Sequence, residues 1–129
     1  DLRSVGETLV RVHEPTSVLD SLDTSRGTHS WSLQRSLAAI RARGHGVLVM
    51  LNCALPAAGL FEQIDVLARL GEGDAARRRA GKLDLRTYGI GAQILKDLGV
   101  RRMRLLSQPR KMPSMAGYDL EIVGFEPGE

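Results

Sequence analysis

Thiolates are almost absent from this chain: Cys53 is the single cysteine in 129 residues. That excludes an internal disulfide framework and any thiolate cluster within one chain. Aromatic rings are scarce too, with one Trp, two Tyr and two Phe. Single-stranded nucleic acids are held by stacking on such rings, so nucleic acid is not an expected partner. There is no charged-then-apolar leader and no apolar run long enough to span a bilayer. The expectation is a soluble, cytoplasmic protein with no membrane partner. No internal repeat or low-complexity segment interrupts the chain.

What is present is an ordinary core and a clustered positive charge. The hydrophobic fraction is 43%, enough to bury a core without covalent staples. The length suits one domain spanning residues 1–129. Net charge is +3 with a sequence pI near 9.5. The excess is concentrated at Arg77, Arg78 and Arg79, and again at Arg101, Arg102, Arg104, Arg110 and Lys111. Such patches attract phosphates, and the alternative is a solvated face balanced by acids elsewhere.

Periodicity divides the chain into alternating strands and helices. Thr8 to His13 reads as a strand. Residues 14–30 are polar and read as a loop with a short helical turn near Val18 and Leu19, ending at Ser30 as a cap. Leu33, Leu37 and Ile40 lie at helical spacing before Gly44, which predicts a helix over 31–43. Val47 to Leu51 is continuously apolar, as a buried central strand is. Leu55 to Gly59 reads as a loop. Leu60, Phe61, Ile64, Leu67 and Ala68 predict a helix over 60–70. Residues 71–83, with their glycines and arginine triplet, read as a mobile linker.

The segment 84–111 is the most informative. Ile90, Ile94, Leu95 and Leu98 form one stripe of a helix starting near Tyr88, and Gly99 suits its left-handed terminus. Val100 to Leu106 alternates apolar and basic residues as a short strand, ended by Ser107-Gln108-Pro109. Tyr118 to Phe125 predicts a last strand, with Pro127-Gly128 as a frayed tail. Strands separated by helices predict an α/β domain with a mixed β-sheet flanked by helices.

The same segment reads D-L-R-T-Y-G-I-G-A-Q-I-L, then L-G-V-R-R-M-R-L-L-S-Q-P-R-K. It resembles the GTP cyclohydrolase II family of riboflavin biosynthesis, which carries D-x-R-x-(Y/F)-G-I-G-A-Q-I-L and L-G-V-x-x-(M/V)-R-L-L-T before a short N-P-(R/K)-K turn. Arg11-Val12-His13 resembles the R-V-H that opens the family's active-site segment. The resemblance covers most of the chain and is strongest over residues 84–125. It implies a GTP cyclohydrolase II-like fold, here without the strands that precede the position of Asp1 in the family. It also implies a likeness to domains fused behind dihydroxybutanone phosphate synthase, and a homodimer.

By resemblance, Asp84 and Arg86 match the family's D-x-R, its proton acceptor and its candidate nucleophile or phosphate partner. Ser107 matches a nucleotide-contacting Thr and Lys111 a lysine of the following turn. With Arg11 they make a candidate pocket for GTP or another phosphate. Alternatively, Asp84 serves the free N–H groups of a helix start and Arg86 pairs with it.

The departures concern metal chemistry. The family uses zinc and magnesium and holds its zinc on a C-x10-C-x-C pattern, thiolates that fix a tetrahedral site with one open position. Those positions fall on Thr16, Gly27 and His29. Only His29 could ligate, and His13 and His45 are the other histidines. The family's E-G-R segment falls on Ala54-Leu55-Pro56, which removes a bidentate phosphate donor and a purine-reading acid. Cys53 is most simply a small apolar residue. No resident metal or cofactor is expected. The leading expectation is a degenerate family domain, a structural or regulatory partner of a fused or separate synthase domain. The alternatives are an active cyclohydrolase with a rebuilt metal site, and a nucleotide- or phosphate-binding module.

Overall fold

The computed structural model describes residues 1–15, 30–52, 57–69 and 85–128. Asp84, Thr16, Gly27, His29, Cys53 and Ala54 to Pro56, and the expected linker over 71–83, lie outside those residues. The elements in order are β1 (Thr8–His13), α1 (Leu33–Arg43), β2 (Val47–Met50), α2 (Ala57–Arg69), α3 (Leu85–Asp97), β3 (Arg102–Leu106) and β4 (Glu121–Glu126). Short 3-10 turns stand at Leu2–Ser4 and Ala116–Tyr118.

The strands form one sheet in the order β2-β1-β3-β4, and all three pairings are parallel. Val10 sits between Val47 and Leu105 in register, so the centre of β1 carries the middle of the sheet. Parallel neighbours need a connection that returns across a face, as α1 does between β1 and β2. The α/β layering is as the sequence implies. Val123 is the extra residue where the β3–β4 register shifts, and the local twist rises at such a bulge.

The main core lies between α3 and one face of the sheet. Val10, Val47, Val49, Met103 and Leu105 meet Ala92 and Leu95 there, with Val100, Met115 and Leu120 closing the ends. Tyr88 and Ile94 are partly buried against them. The buried positions of α3 among its described residues are thus 91, 92 and 95, with Tyr88 and Ile94 half-buried beside them. The expected stripe is only half right, because Ile90 and Leu98 are exposed. The helix also begins at Leu85, a turn before Tyr88.

The other face is covered by α1. Ser32, not Ser30, caps this helix, accepting from Arg35 N–H through Oγ at 3.2 Å. Ser36 is the buried residue of α1, and its hydroxyl donates to Ser32 O at 2.8 Å. Leu37, which periodicity placed on the core face, is 45% exposed. A small buried residue lets the helix lie close to the sheet, and packing overrides the apolar stripe. Gly44 and Gly99 both have φ of +85°, and each ends its helix as the sequence predicts. Helix α2 starts at Ala57, inside the expected loop, since Ala57 and Ala58 are strong helix formers. Its Phe61 and Ile64 are exposed. Tyr118 belongs to a 3-10 turn, and β4 begins only at Glu121.

Glu7 locks the layers together at the amino end of β1. Its carboxylate accepts from Arg104 Nε at 2.9 Å and Nη2 at 3.3 Å, and from Arg43 Nη2 at 3.0 Å. The hydrogen bonds from Arg104, aided by its charge and that of Arg43, hold Glu7 below its ordinary value of 4.5. A depressed carboxylate contributes stability above its unfolded value and loses it as pH falls through the folded one. The stability gap between the wild type and Glu7→Gln is therefore expected to be full at neutral pH and to close as pH drops below 4.5. Urea midpoints across that range measure it, and a gap that persisted at pH 3 would argue against this account.

Candidate functional site

Parallel strands gather their carboxyl ends on one edge, and here that edge collects the basic residues. Helix α3 runs antiparallel to the strands. Gly91 approaches Val12 and Leu51, near the carboxyl ends of β1 and β2, while Gly99 approaches Arg3 ahead of β1. The first turn of α3, with Arg86 and Tyr88, therefore lies beyond the carboxyl edge. The turn after β3, with Ser107, Arg110 and Lys111, leaves the same edge. Open crevices outside the carboxyl ends of strands are where α/β sheets take ligands, and free N–H groups at a helix start favour anions.

Arg11 sits on β1 with its side chain on the α1 face and is only 6% exposed. Its Nη1 donates to Leu106 O at 2.8 Å and its Nη2 to Trp31 O at 3.1 Å. The same Nη2 lies 3.4 Å from His13 Nδ1. A guanidinium has only donors, so Nδ1 accepts and the imidazole proton resides on Nε2. Arg11 Nε and the Tyr88 hydroxyl are enclosed, with no hydrogen-bond partner among the described residues.

Burial, with the nearby charge of Arg110 as the lesser cause, lowers Arg11 to about 10. It stays charged at neutral pH. Burial also raises the Tyr88 hydroxyl, and the Arg110 charge opposes that rise. Arg110 is thus the cation that both enclosed groups feel. Among the described residues neither Arg110 nor Lys111 forms an ion pair. An exposed guanidinium with no carboxylate against it, as at Arg110, is a place where an anion gains charge-assisted bonds.

The structure brings four sequence-identified residues to this edge, with different exposure. Ser107 is 8% exposed, and its hydroxyl donates to Gln108 O at 3.0 Å. Arg86 and Lys111 are exposed. Arg11 is buried on backbone carbonyls rather than held out to solvent. Tyr88 and Arg110 were not among the expected site residues. Arg110 was visible only as a member of a basic cluster, and Tyr88 only as a helix start. Asn52, with φ of 53°, ties the edge together by donating from Nδ2 to Glu14 Oε1. Asn tolerates that left-handed conformation better than most residues.

Among the described residues, the donors present do not fit a zinc site. No group of three or more His, Cys, Asp or Glu could hold a metal among the described residues. His13 uses Nδ1 on Arg11, and His45 Nε2 donates to Glu7 O at 3.0 Å. Thr16 and Gly27 supply no thiolate. No helix among the described residues is long and apolar enough to cross a membrane.

Fold and edge together define a parallel α/β domain whose carboxyl edge carries exposed basic residues. The profile of the GTP cyclohydrolase II family matches residues 1–127, and the chain belongs to that family. It is 41% identical over 123 residues to a 3,4-dihydroxy-2-butanone 4-phosphate synthase of Neisseria meningitidis serogroup A, covering 95% of this chain and 31% of that protein. It is 40% identical over 126 residues to the riboflavin biosynthesis protein RibBA of Bacillus cereus strain G9842, covering 93% and 32%. A RibBA of Chlorobium phaeovibrioides is 38% identical over 134 residues, covering 100% and 33%. The chain therefore spans about a third of the length of the relatives it matches.

Proposed function

We propose that this chain is a GTP cyclohydrolase II-family domain that binds a phosphate-bearing ligand but no longer opens the GTP ring. Its role is structural or regulatory, as the cytoplasmic partner of a dihydroxybutanone phosphate synthase domain. The observation that carries phosphate binding is Arg110, exposed and without an ion pair among the described residues, in the turn that leaves the carboxyl edge of a parallel sheet. Loss of ring opening rests on Thr16 and Gly27 where the family has thiolates. The synthase partner is supported by the name of the Neisseria relative. Arg86, Ser107 and Lys111 supply the remaining polar contacts, and a nucleotide such as GTP is the ligand class. Asp84 keeps its place in the family's D-x-R. The whole of 1–129 acts as one unit and pairs with a second copy.

A ligand that binds only the folded state raises its melting temperature by mass action. Phosphate, pyrophosphate or GTP at millimolar concentration is expected to do so, and the gain should shrink with added salt. Arg86→Ala with Lys111→Ala should abolish it, while changing Arg77, Arg78 and Arg79 to Ala should not. A melting curve indifferent to all three anions would leave the basic edge as scaffold and sink the ligand part of the proposal.

A further inference from the structure

Three strands and the approach to α1 are joined by a chain of hydrogen bonds that the proposed ligand does not need. Arg11 on β1 donates to Leu106 O at the end of β3 and to Trp31 O ahead of α1. Trp31 Nε1 then donates to Glu126 O at the end of β4 at 2.7 Å. Arg35 of α1 stands over the indole, 5.0 Å from its centroid. Gln108 Nε2 donates to Gly128 O at 2.8 Å, so the chain beyond β4 is held a second time. Gly128 packs so tightly on Ser30 that any Cβ there would overlap Ser30 O.

The position of this strap in the sequence gives it meaning. Gly27 and His29, where the family's zinc cysteines align, directly precede the Ser30-Trp31 segment. Two zinc–thiolate bonds there would tether the same stretch of chain. We infer that in this protein Arg11 and Trp31 fasten the segment entering α1 to the sheet, and that no metal takes part. Arg11 is then a positioning residue, its Nη groups committed to carbonyls, and not a ligand contact of the first rank. The strap also sets the turn at Ser107, since Leu106 O is one of its acceptors. A cleft of 310 Å³ lined by Leu9, Trp31, Ala39, Ala42, Leu106 and the charged Arg43 and Glu126 lies beside it. Neither Arg110 nor Lys111 lines that cleft, so it is separate from the proposed phosphate contacts.

This inference rests on the reading that the zinc positions are lost, and the test separates the two. Trp31→Phe keeps an aromatic side chain and removes the indole N–H with its five-membered ring. Amide exchange of the full chain is expected to quicken over residues 30–36 and 126–128 by roughly fivefold, as loss of one net hydrogen bond allows. Exchange at Val10 and Leu105 should not change. Because Trp31 is the single tryptophan, Arg11→Lys gives a second readout: its emission should move to longer wavelength and its quenching by acrylamide should rise. Treating the wild type with a chelator should change neither signal. If Arg11→Lys does not fold, the exchange data on Trp31→Phe decide alone. Unchanged exchange in Trp31→Phe overturns the strap. So does a chelator that loosens residues 30–36 as much as the substitution does. Zinc found bound with the strap signals intact would overturn the zinc reading alone, and an absent phosphate shift would touch only the ligand reading.

Discussion

Incubated with GTP, with or without added zinc or magnesium, the purified domain is expected to release no formate above the protein-free rate. Opening the guanine imidazole ring needs a strong nucleophile at neutral pH. Metal ions supply one by lowering the pKa of bound water to about 7. On the proposed reading, with Thr16 and Gly27 at the thiolate positions, that activation is expected to be missing, at a cost of orders of magnitude in rate. His13 and His45 do not rescue it among the described residues, because neither stands in a group of three or more side chains that could hold a metal. Elemental analysis should accordingly find no stoichiometric zinc. Formate release that scales with protein concentration and disappears in Asp84→Asn would overturn the expectation. About one zinc per chain, removable by chelator with loss of folding, would do the same.

The second large effect concerns stability. Leu95→Ala is expected to cost about 2–5 kcal/mol, the usual range for a buried leucine truncated in a core that relaxes little. Leu95 is 1% exposed, among Val10, Met103 and Leu105. Domains of this kind have only about 5–15 kcal/mol in total, so the variant should approach the edge of folding at ambient temperature. Ile90→Ala is the informative control. Ile90 is 55% exposed, and its truncation should change stability by no more than about 0.5 kcal/mol. Urea unfolding measures both, with the midpoint moving and the slope preserved if each variant stays two-state. Equal costs for the two would contradict the way α3 faces the sheet.

That pair also shows where pattern reading fails. Ile90, Ile94, Leu95 and Leu98 make a consistent apolar stripe, yet only part of it is buried. The true face of α3 includes Ala92, which is too small to weigh in a periodicity argument but small enough to touch the sheet. In α1 the buried residue is Ser36, which no hydrophobic pattern would select. In α2 the stripe was legible as a helix, but Phe61 and Ile64 are left in solvent. Helix rotation is set by what packs opposite, and that information lies in other segments.

By itself the sequence determined the family, through the dense match over 84–125, and the α/β order of strands and helices. It also determined that one cysteine is all the thiolate the chain can offer, because a zinc site needs donor atoms that side chains either have or lack. Helix ends at Gly44 and Gly99 were legible for a local reason, the left-handed backbone each requires. The tertiary structure alone decided what Arg11 does. In the sequence it is one cation of an R-V-H motif. In the fold, strand alternation and the parallel pairing of β1 with β3 turn it inward, against Leu106 O and Trp31 O. Arg110 joins it because the turn after β3 returns to the same edge, 99 residues further along the chain. Only folding brings such distant charges near one another, since the acceptors and cations concerned are scattered in sequence and meet where parallel strands end together.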